Sequence, residues 1–150
     1  MGTVNLDNIQ VTPLARISTL GGDVMHAMKK TDAGYAGFGE AYFSWIEANS
    51  VKAWKCHTRM TMNMVVPFGK VKFIFCTTEG TRFREEVIGY DRYVRLTVPP
   101  GIWFGFQGIA VTQSLLMNLA NIQHDPTESK RLGLSEIQYN WTLVPTTLAD

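Results

Sequence analysis

The chain has 150 residues, 45% of them hydrophobic and 18% charged, with a formal net charge of +1. That size suits one domain whose core is stable without staples, and the interspersed charges form no basic stripe, so no nucleic-acid partner is expected. Cys56 and Cys76 are too few for a disulfide framework and lack metal-ligand spacing with each other, so both read as small buried thiols.

Residues 1–20 mix Asn, Asp, Gln, Thr and Arg with single apolar residues, a pattern without the continuous apolar run of a signal peptide or membrane span. The expectation is a cytoplasmic protein with no membrane partner. Residues 1–34 read as a less certain N-terminal extension, and 20–30 fit a short helix or an edge strand equally well. From Tyr35 onward, short runs of Val, Ile, Phe, Tyr, Trp and Thr alternate with Gly and Pro, as in an antiparallel all-β domain. Strands are predicted at 41–46, 51–57, 62–66, 71–76, 82–88, 93–98, 102–106 and 114–120. Turn signals separate them, including Val66-Pro67-Phe68-Gly69, Glu79-Gly80, Gly89-Tyr90-Asp91 and Pro99-Pro100-Gly101. Asp125-Pro126 then reads as the N-cap and first position of a short helix or turn. A succession of short strands punctuated in this way predicts a sandwich or jelly-roll barrel in one domain.

The segment from Val51 to Arg59 carries the most chemistry. Strand alternation puts Val51, Ala53, Lys55, His57 and Arg59 on one face and Lys52, Trp54 and Cys56 on the other. If the first face looks inward, Lys55, His57 and Arg59 line a cavity suited to a small molecule; if outward, they are a solvated face. Neither face is uniformly apolar, so the pattern leaves the orientation open. Met60, Met62 and Met64 read as adaptable core filling. Arg82 and Arg84 fit a phosphate contact or an exposed strand, and Trp54 and Trp103 fit base stacking or core.

Leu96 to Gly108 join a strand, a Pro-Pro-Gly corner and an aromatic strand, and with the His57 strand they resemble the paired motifs of the cupin superfamily. Metal-binding cupins carry two His and a Glu in the first motif and a further His after the turn. Here Arg59, Met62, Asn63 and Phe104 stand at or near the other ligand positions, so no metal is expected. Within that superfamily the chain resembles the dTDP-4-dehydrorhamnose 3,5-epimerases over residues 37–141. The similarity is carried by Gly39-Glu40-Ala41-Tyr42-Phe43, by the His57 strand, by the segments 64–71 and 96–108, and by Asn118 to Asn121 with His124-Asp125-Pro126.

The resemblance implies a homodimeric jelly roll without cofactor, acting on a nucleotide-diphosphate 4-keto-6-deoxyhexose in surface-polysaccharide sugar synthesis. It makes His57 the base that removes a proton beside the carbonyl. Lys55 and Asn63 become candidates to stabilise the enolate, with Lys72 a further polar candidate. Arg59, Arg84, Lys72, Trp103, Gln107 and Glu40 are the expected substrate contacts. The chain departs from the family pattern where a Lys is expected near position 62 and where a Tyr is expected in Leu116-Met117-Asn118. The carboxylate that pairs with the family His has no evident counterpart. Tyr139 is therefore considered as the acid, and epimerisation at one carbon, a 3,4-keto shift or a non-catalytic nucleotide-sugar-binding cupin stand as alternatives.

Overall fold

The β-branched and aromatic runs form strands, and the Gly and Pro clusters turn the chain between them. The computed structural model describes residues 5–143 and contains, in chain order, β1 (Gln10–Pro13), β2 (Arg16–Ile17), β3 (Val24–Met25), β4 (Glu40–Ile46), β5 (Val51–His57) and β6 (Met62–Phe68). There follow β7 (Lys70–Cys76), β8 (Phe83–Gly89), β9 (Val94–Val98), β10 (Trp103–Gly108), β11 (Ser114–Ala120) and β12 (Ser129–Arg131). Among the described residues, helix is confined to single 3-10 turns at Leu6–Asn8, Pro126–Glu128 and Leu134–Glu136. No helix among the described residues is long and apolar enough to cross a membrane.

Two five-stranded antiparallel sheets, β1-β9-β6-β11-β4 and β12-β5-β10-β7-β8, face each other as a cupin-type jelly roll, while β2 and β3 form a separate hairpin. The predicted strands agree with the observed ones to within two residues. The undecided stretch 20–30 supplies the second strand of the hairpin, and residues of the expected N-terminal extension form β1 at the edge of the first sheet. The core lies between the sheets and includes Met62, Met64, Phe73, Phe75, Leu96 and Phe104. A smaller cluster of Trp54, Cys56, Ile74, Cys76, Trp103 and Ile137 covers the outer surface of the second sheet.

The outer face of β9 is tied down by polar side chains. Tyr93 donates to the carbonyl of His26 at 2.7 Å, and the Arg95 guanidinium donates to the carbonyls of Ala27 and Ala33 at 2.8 and 2.9 Å. Asn63 Nδ2 continues the series to the Gly34 carbonyl at 3.0 Å, and Thr97 donates to Asn63 Oδ1 at 2.5 Å. These bonds satisfy the backbone of residues 26–34, a segment that otherwise has few ladder partners. Arg95 is 0% exposed, so replacing it empties a packed position and removes the donors to both carbonyls. Arg95→Ala is expected to lower the unfolding free energy by about 2–4 kcal/mol, read as the midpoint shift in urea denaturation; an unchanged midpoint would remove this clamp from the account of the fold.

Candidate active site

Between the sheets, bordered by β4 of one and β5 of the other, lies a cavity of about 470 Å³. Its polar wall carries His57, Lys55 and Arg131, its opposite wall Tyr42 and Asn118, and Met62, Met64, Phe104, Phe106 and Leu116 supply the apolar surface.

His57 and Lys55 project inward from β5, which resolves the orientation that alternation left open. The alternation itself breaks between them and Val51. Lys55 pairs with Phe104 but Ala53 pairs with Gly105, so Trp54 is an extra residue in the ladder, a β-bulge. Ala53 and Trp54 pack with the outer cluster as well as bordering the cavity, and Lys52, opposite the inward Phe106, joins the lining beside them. Gly105 has no room for a side chain at this crossing, because a Cβ there would lie 2.5 Å from the Ala53 Cβ.

His57 is 4% exposed and held on three sides. Its ring stacks on Phe104 with centroids 5.9 Å apart and planes 17° apart. Its carbonyl accepts from the Gly101 N–H at 2.7 Å, and Gly101 sits at φ 91°, so the Pro-Pro-Gly corner uses its glycine to reach back to the His57 strand. Its Nδ1 is hydrogen-bonded to Glu128 Oε1. Glu128 is the carboxylate that the sequence did not reveal. It stands at the end of the 3-10 turn Pro126–Glu128, which Asp125 caps by accepting from the Thr127 N–H, as the Asp-Pro signal predicted. The Glu128 carbonyl accepts from the Thr58 N–H and hydroxyl, both at 2.7 Å, and Oε2 accepts from the N–H groups of Arg59 and Met60 at 3.2 Å. Strand β12 then pairs with β5, with Ser129 opposite His57, and carries Arg131 to the cavity wall.

Burial lowers the His57 pKa from the usual 6.5 by more than Glu128 raises it, with Lys55 and Arg131 adding to the lowering. Burial alone would raise the Glu128 carboxyl, but hydrogen bonds from His57 and from the Arg59 and Met60 amides bring it below the usual 4.5. Glu128 is therefore an ionised acceptor. His57 must carry its proton on Nδ1, which leaves Nε2 unprotonated. Lys55 is lowered by burial and by Arg131, partly offset by Glu128.

The facing wall holds Tyr42, a residue that sequence reasoning did not single out. It lies on β4 directly opposite Asn118 of β11, and Asn118 Nδ2 donates to its hydroxyl at 3.1 Å. Asn118 is itself fixed, accepting from the Asn63 N–H at 3.2 Å. A tyrosine hydroxyl thus stands beside Asn118 on the neighbouring strand, although Leu116-Met117-Asn118 holds no tyrosine. Alternation of Tyr42, Ser44 and Ile46 was a usable signal, but Phe43 and Trp45 on the other face are equally apolar and masked it.

The remaining expected site residues do not line this chain's cavity. Asn63 belongs to the clamp over residues 26–34. Tyr139 packs on the outer surface with Trp54, Phe83 and Trp141. Trp103 lies in the same outer cluster, Lys72 stands 5.8 Å from the Trp141 ring, and buried Gln107 donates to the Thr142 carbonyl, all on the side of β10 and β7 away from Phe104, Phe106 and Phe73. Arg84 holds the carbonyls of Leu6 and Ile9 and the carboxylate of Glu86. Arg59 forms an exposed ion pair with Asp125 at 2.8 Å. Glu40 begins β4, opposite Ala120, two residues before the tyrosine. Among the described residues, no three His, Cys, Asp or Glu side chains gather as a metal site.

No protein-family model matches the chain, and no curated protein matches it. Solved structures do. A dTDP sugar isomerase from Desulfovibrio desulfuricans G20 is 31% identical, with 90% of this chain and 91% of that one covered and a TM-score of 0.85. A dTDP-4-dehydrorhamnose 3,5-epimerase from Bacillus anthracis str. Ames, solved with TDP and PPi bound, shares the fold at 13% identity over 95% of this chain and 89% of that one, TM-score 0.78. A sugar 3,4-ketoisomerase from Thermoanaerobacterium thermosaccharolyticum, in complex with TDP, shares it at 17% identity over 89% and 96%, TM-score 0.72. With identity of 31% sustained over nine-tenths of both chains, the protein belongs to the dTDP-sugar isomerase family, built on the jelly roll it shares with 3,5-epimerases and 3,4-ketoisomerases.

Proposed function

We propose that the protein isomerises a nucleotide-diphosphate-linked 4-keto-6-deoxyhexose, with His57 as the base and an enolate as the intermediate. The observation that carries this reading is the buried His57–Glu128 pair opening on a cavity whose other wall presents a tyrosine hydroxyl.

A ketone acidifies the adjacent C–H, and a neutral imidazole near pH 7 is suited to removing that proton. Nε2 of His57 accepts it, while Glu128 holds the ring in one tautomer and stabilises the imidazolium that forms. Negative charge develops on the sugar O4, where a donor in a dry site stabilises it strongly. Lys55 supplies that charge, taking the part of the lysine that the family keeps near Met62. Tyr42 returns a proton from the opposite wall, which inverts the carbon. Lys52 and Arg131 supply positive charge for the diphosphate. A 3,4-keto shift uses the same enolate and is the second reading, favoured by the departures from the 3,5-epimerase pattern at Met62 and Asn118. A purely binding role gives no reason to fix a histidine tautomer at the wall of the cavity.

In deuterated water the protein is expected to place solvent deuterium at C3 or C5 of dTDP-4-keto-6-deoxyglucose, followed by NMR. His57→Asn is expected to lower exchange at least about 10³-fold while nucleotide binding persists; exchange at the wild-type rate in that variant would exclude His57 as base. Tyr42→Phe separates the two proton transfers: His57 still exchanges the α-proton, but inverted product falls about 10²-fold or more. Equal loss of both signals would take the acid role away from Tyr42.

The acid limb of kcat/KM should reflect an apparent pKa below 6.5, since the lowered His57 value keeps the base neutral until the pH falls beneath it. Glu128→Gln removes a group that raises that pKa, so the limb moves to lower pH while kcat drops. Movement of the limb to higher pH would contradict the assigned pair. Stability follows the same sign. The folded pKa lies below the unfolded one, so the unfolded chain binds the proton first, and stability is lost as pH falls from 6.5 through the folded value.

A further inference from the structure

Strand β11 sends Leu116, Asn118 and Ala120 to one buried face, and an amide side chain buried between apolar neighbours needs hydrogen-bond partners. The partners of Asn118 fix which way its amide points. The Asn63 N–H, 3.2 Å from Oδ1, can only donate. The Met60 sulfur, 3.9 Å from Nδ2, is a weak acceptor. The oxygen of Asn118 therefore faces Asn63, and its NH2 group faces Met60 and the Tyr42 hydroxyl 3.1 Å away.

That orientation assigns the hydrogen bonds at Tyr42. A phenol oxygen can accept and donate, whereas an amide NH2 offers no lone pair to take the phenol proton. Asn118 thus occupies a lone pair of the Tyr42 oxygen without consuming its proton. Among the described residues that proton meets no acceptor, and Tyr42 lines the cavity, so the proton is left for what the cavity binds. Once it leaves, the oxygen is negatively charged, and the hydrogen bond from Asn118 becomes charge-assisted, roughly twice as strong as a neutral one. A preset donor aimed where charge develops favours the transition state over the ground state.

We propose that Asn118 is a positioning residue for the second proton transfer, holding the Tyr42 hydroxyl as a donor towards the sugar carbon and stabilising the phenolate it becomes. This role rests on the assignment of Tyr42 as the acid. In that step the electron pair of the enolate forms the new C–H bond and restores the ketone as the Tyr42 O–H bond breaks. The phenolate then takes a proton from water and the His57 imidazolium gives one up, so no further reactant is needed. The register divides the task between two strands, with the phenol on β4 and the amide directly opposite on β11.

Asn118→Asp is nearly isosteric and keeps an acceptor for the Asn63 N–H, but it replaces the donor at Tyr42 by a carboxylate oxygen that accepts the phenol proton and repels a phenolate. With dTDP-4-keto-6-deoxyglucose in deuterated water, this variant is expected to keep deuterium exchange by His57 within about 3-fold of wild type while isomerised product falls about 10-fold or more. A packing defect would depress both signals together. Asn118→Leu, which fills the position without the amide, is expected to show the same split and decides should the aspartate variant fail to fold. In a Tyr42→Phe background, Asn118→Leu is expected to change the product by less than about 2-fold, because a residue that acts through the phenol has nothing to act on once the hydroxyl is gone. Equal loss of both signals, or full additivity with Tyr42→Phe, overturns the proposal. Tyr42→Phe alone tells the two failures apart. A wild-type split in that variant, or a wild type that exchanges no proton, removes the acid assignment and the role of Asn118 with it. Product lost in Tyr42→Phe but normal in the Asn118 variants overturns the positioning role alone.

Discussion

A carboxylate buried to 2% exposure and a histidine buried to 4% are joined by one hydrogen bond, and much of the chain serves to make that pair tolerable. An ionised carboxylate out of water is costly unless its lone pairs are filled, and removing one partner of such a pair typically costs about 3–5 kcal/mol. Glu128 meets the requirement with His57 and the amides of Arg59 and Met60. The turn that delivers those amides follows β5 directly, and the capped turn that delivers Glu128 runs straight into β12, which pairs with β5. The segment from Pro126 to Arg131 is therefore a structural half of the site. It supplies the carboxylate under the histidine and Arg131 beside it.

Function follows from where this pair sits. Phe73 and Phe75 fill the core between the sheets, and His57 faces a partly apolar chamber lined also by Met62, Met64, Phe104 and Leu116. Burial keeps the imidazole neutral against the pull of Glu128, and the lysine and arginine on the same wall reinforce that bias. One arrangement thus keeps an imidazole neutral and gathers positive charge on the wall beside it, as the proposed reaction requires.

The strand pattern was legible because alternation and Gly or Pro punctuation are local signals; alternation put His57 and Lys55 on one face, and the family resemblance gave that face its role. What failed depended on non-local facts. The bulge at Trp54 shifts the register so that Lys52 stands opposite the inward Phe106 and joins the cavity lining, and nothing in the Lys-Ala-Trp-Lys spacing announces it. Lys72, Trp103 and Gln107 were expected at the substrate because polar or aromatic residues near a motif look functional, but each lies one position away in alternation from an inward phenylalanine. Glu128 and Tyr42 act through strand pairing, Glu128 beside Ser129 opposite His57 and Tyr42 opposite Asn118. A tyrosine brought beside Asn118 from the neighbouring strand is invisible until the register is known.

The state of the His57 ring is the point on which this account turns, and nitrogen NMR of imidazole-labelled protein reads it directly. The account predicts a neutral ring at pH 7 with the proton on Nδ1, titrating below 6.5. A ring protonated on Nε2, or an imidazolium persisting above pH 7, would contradict it, because no lone pair would then face the substrate.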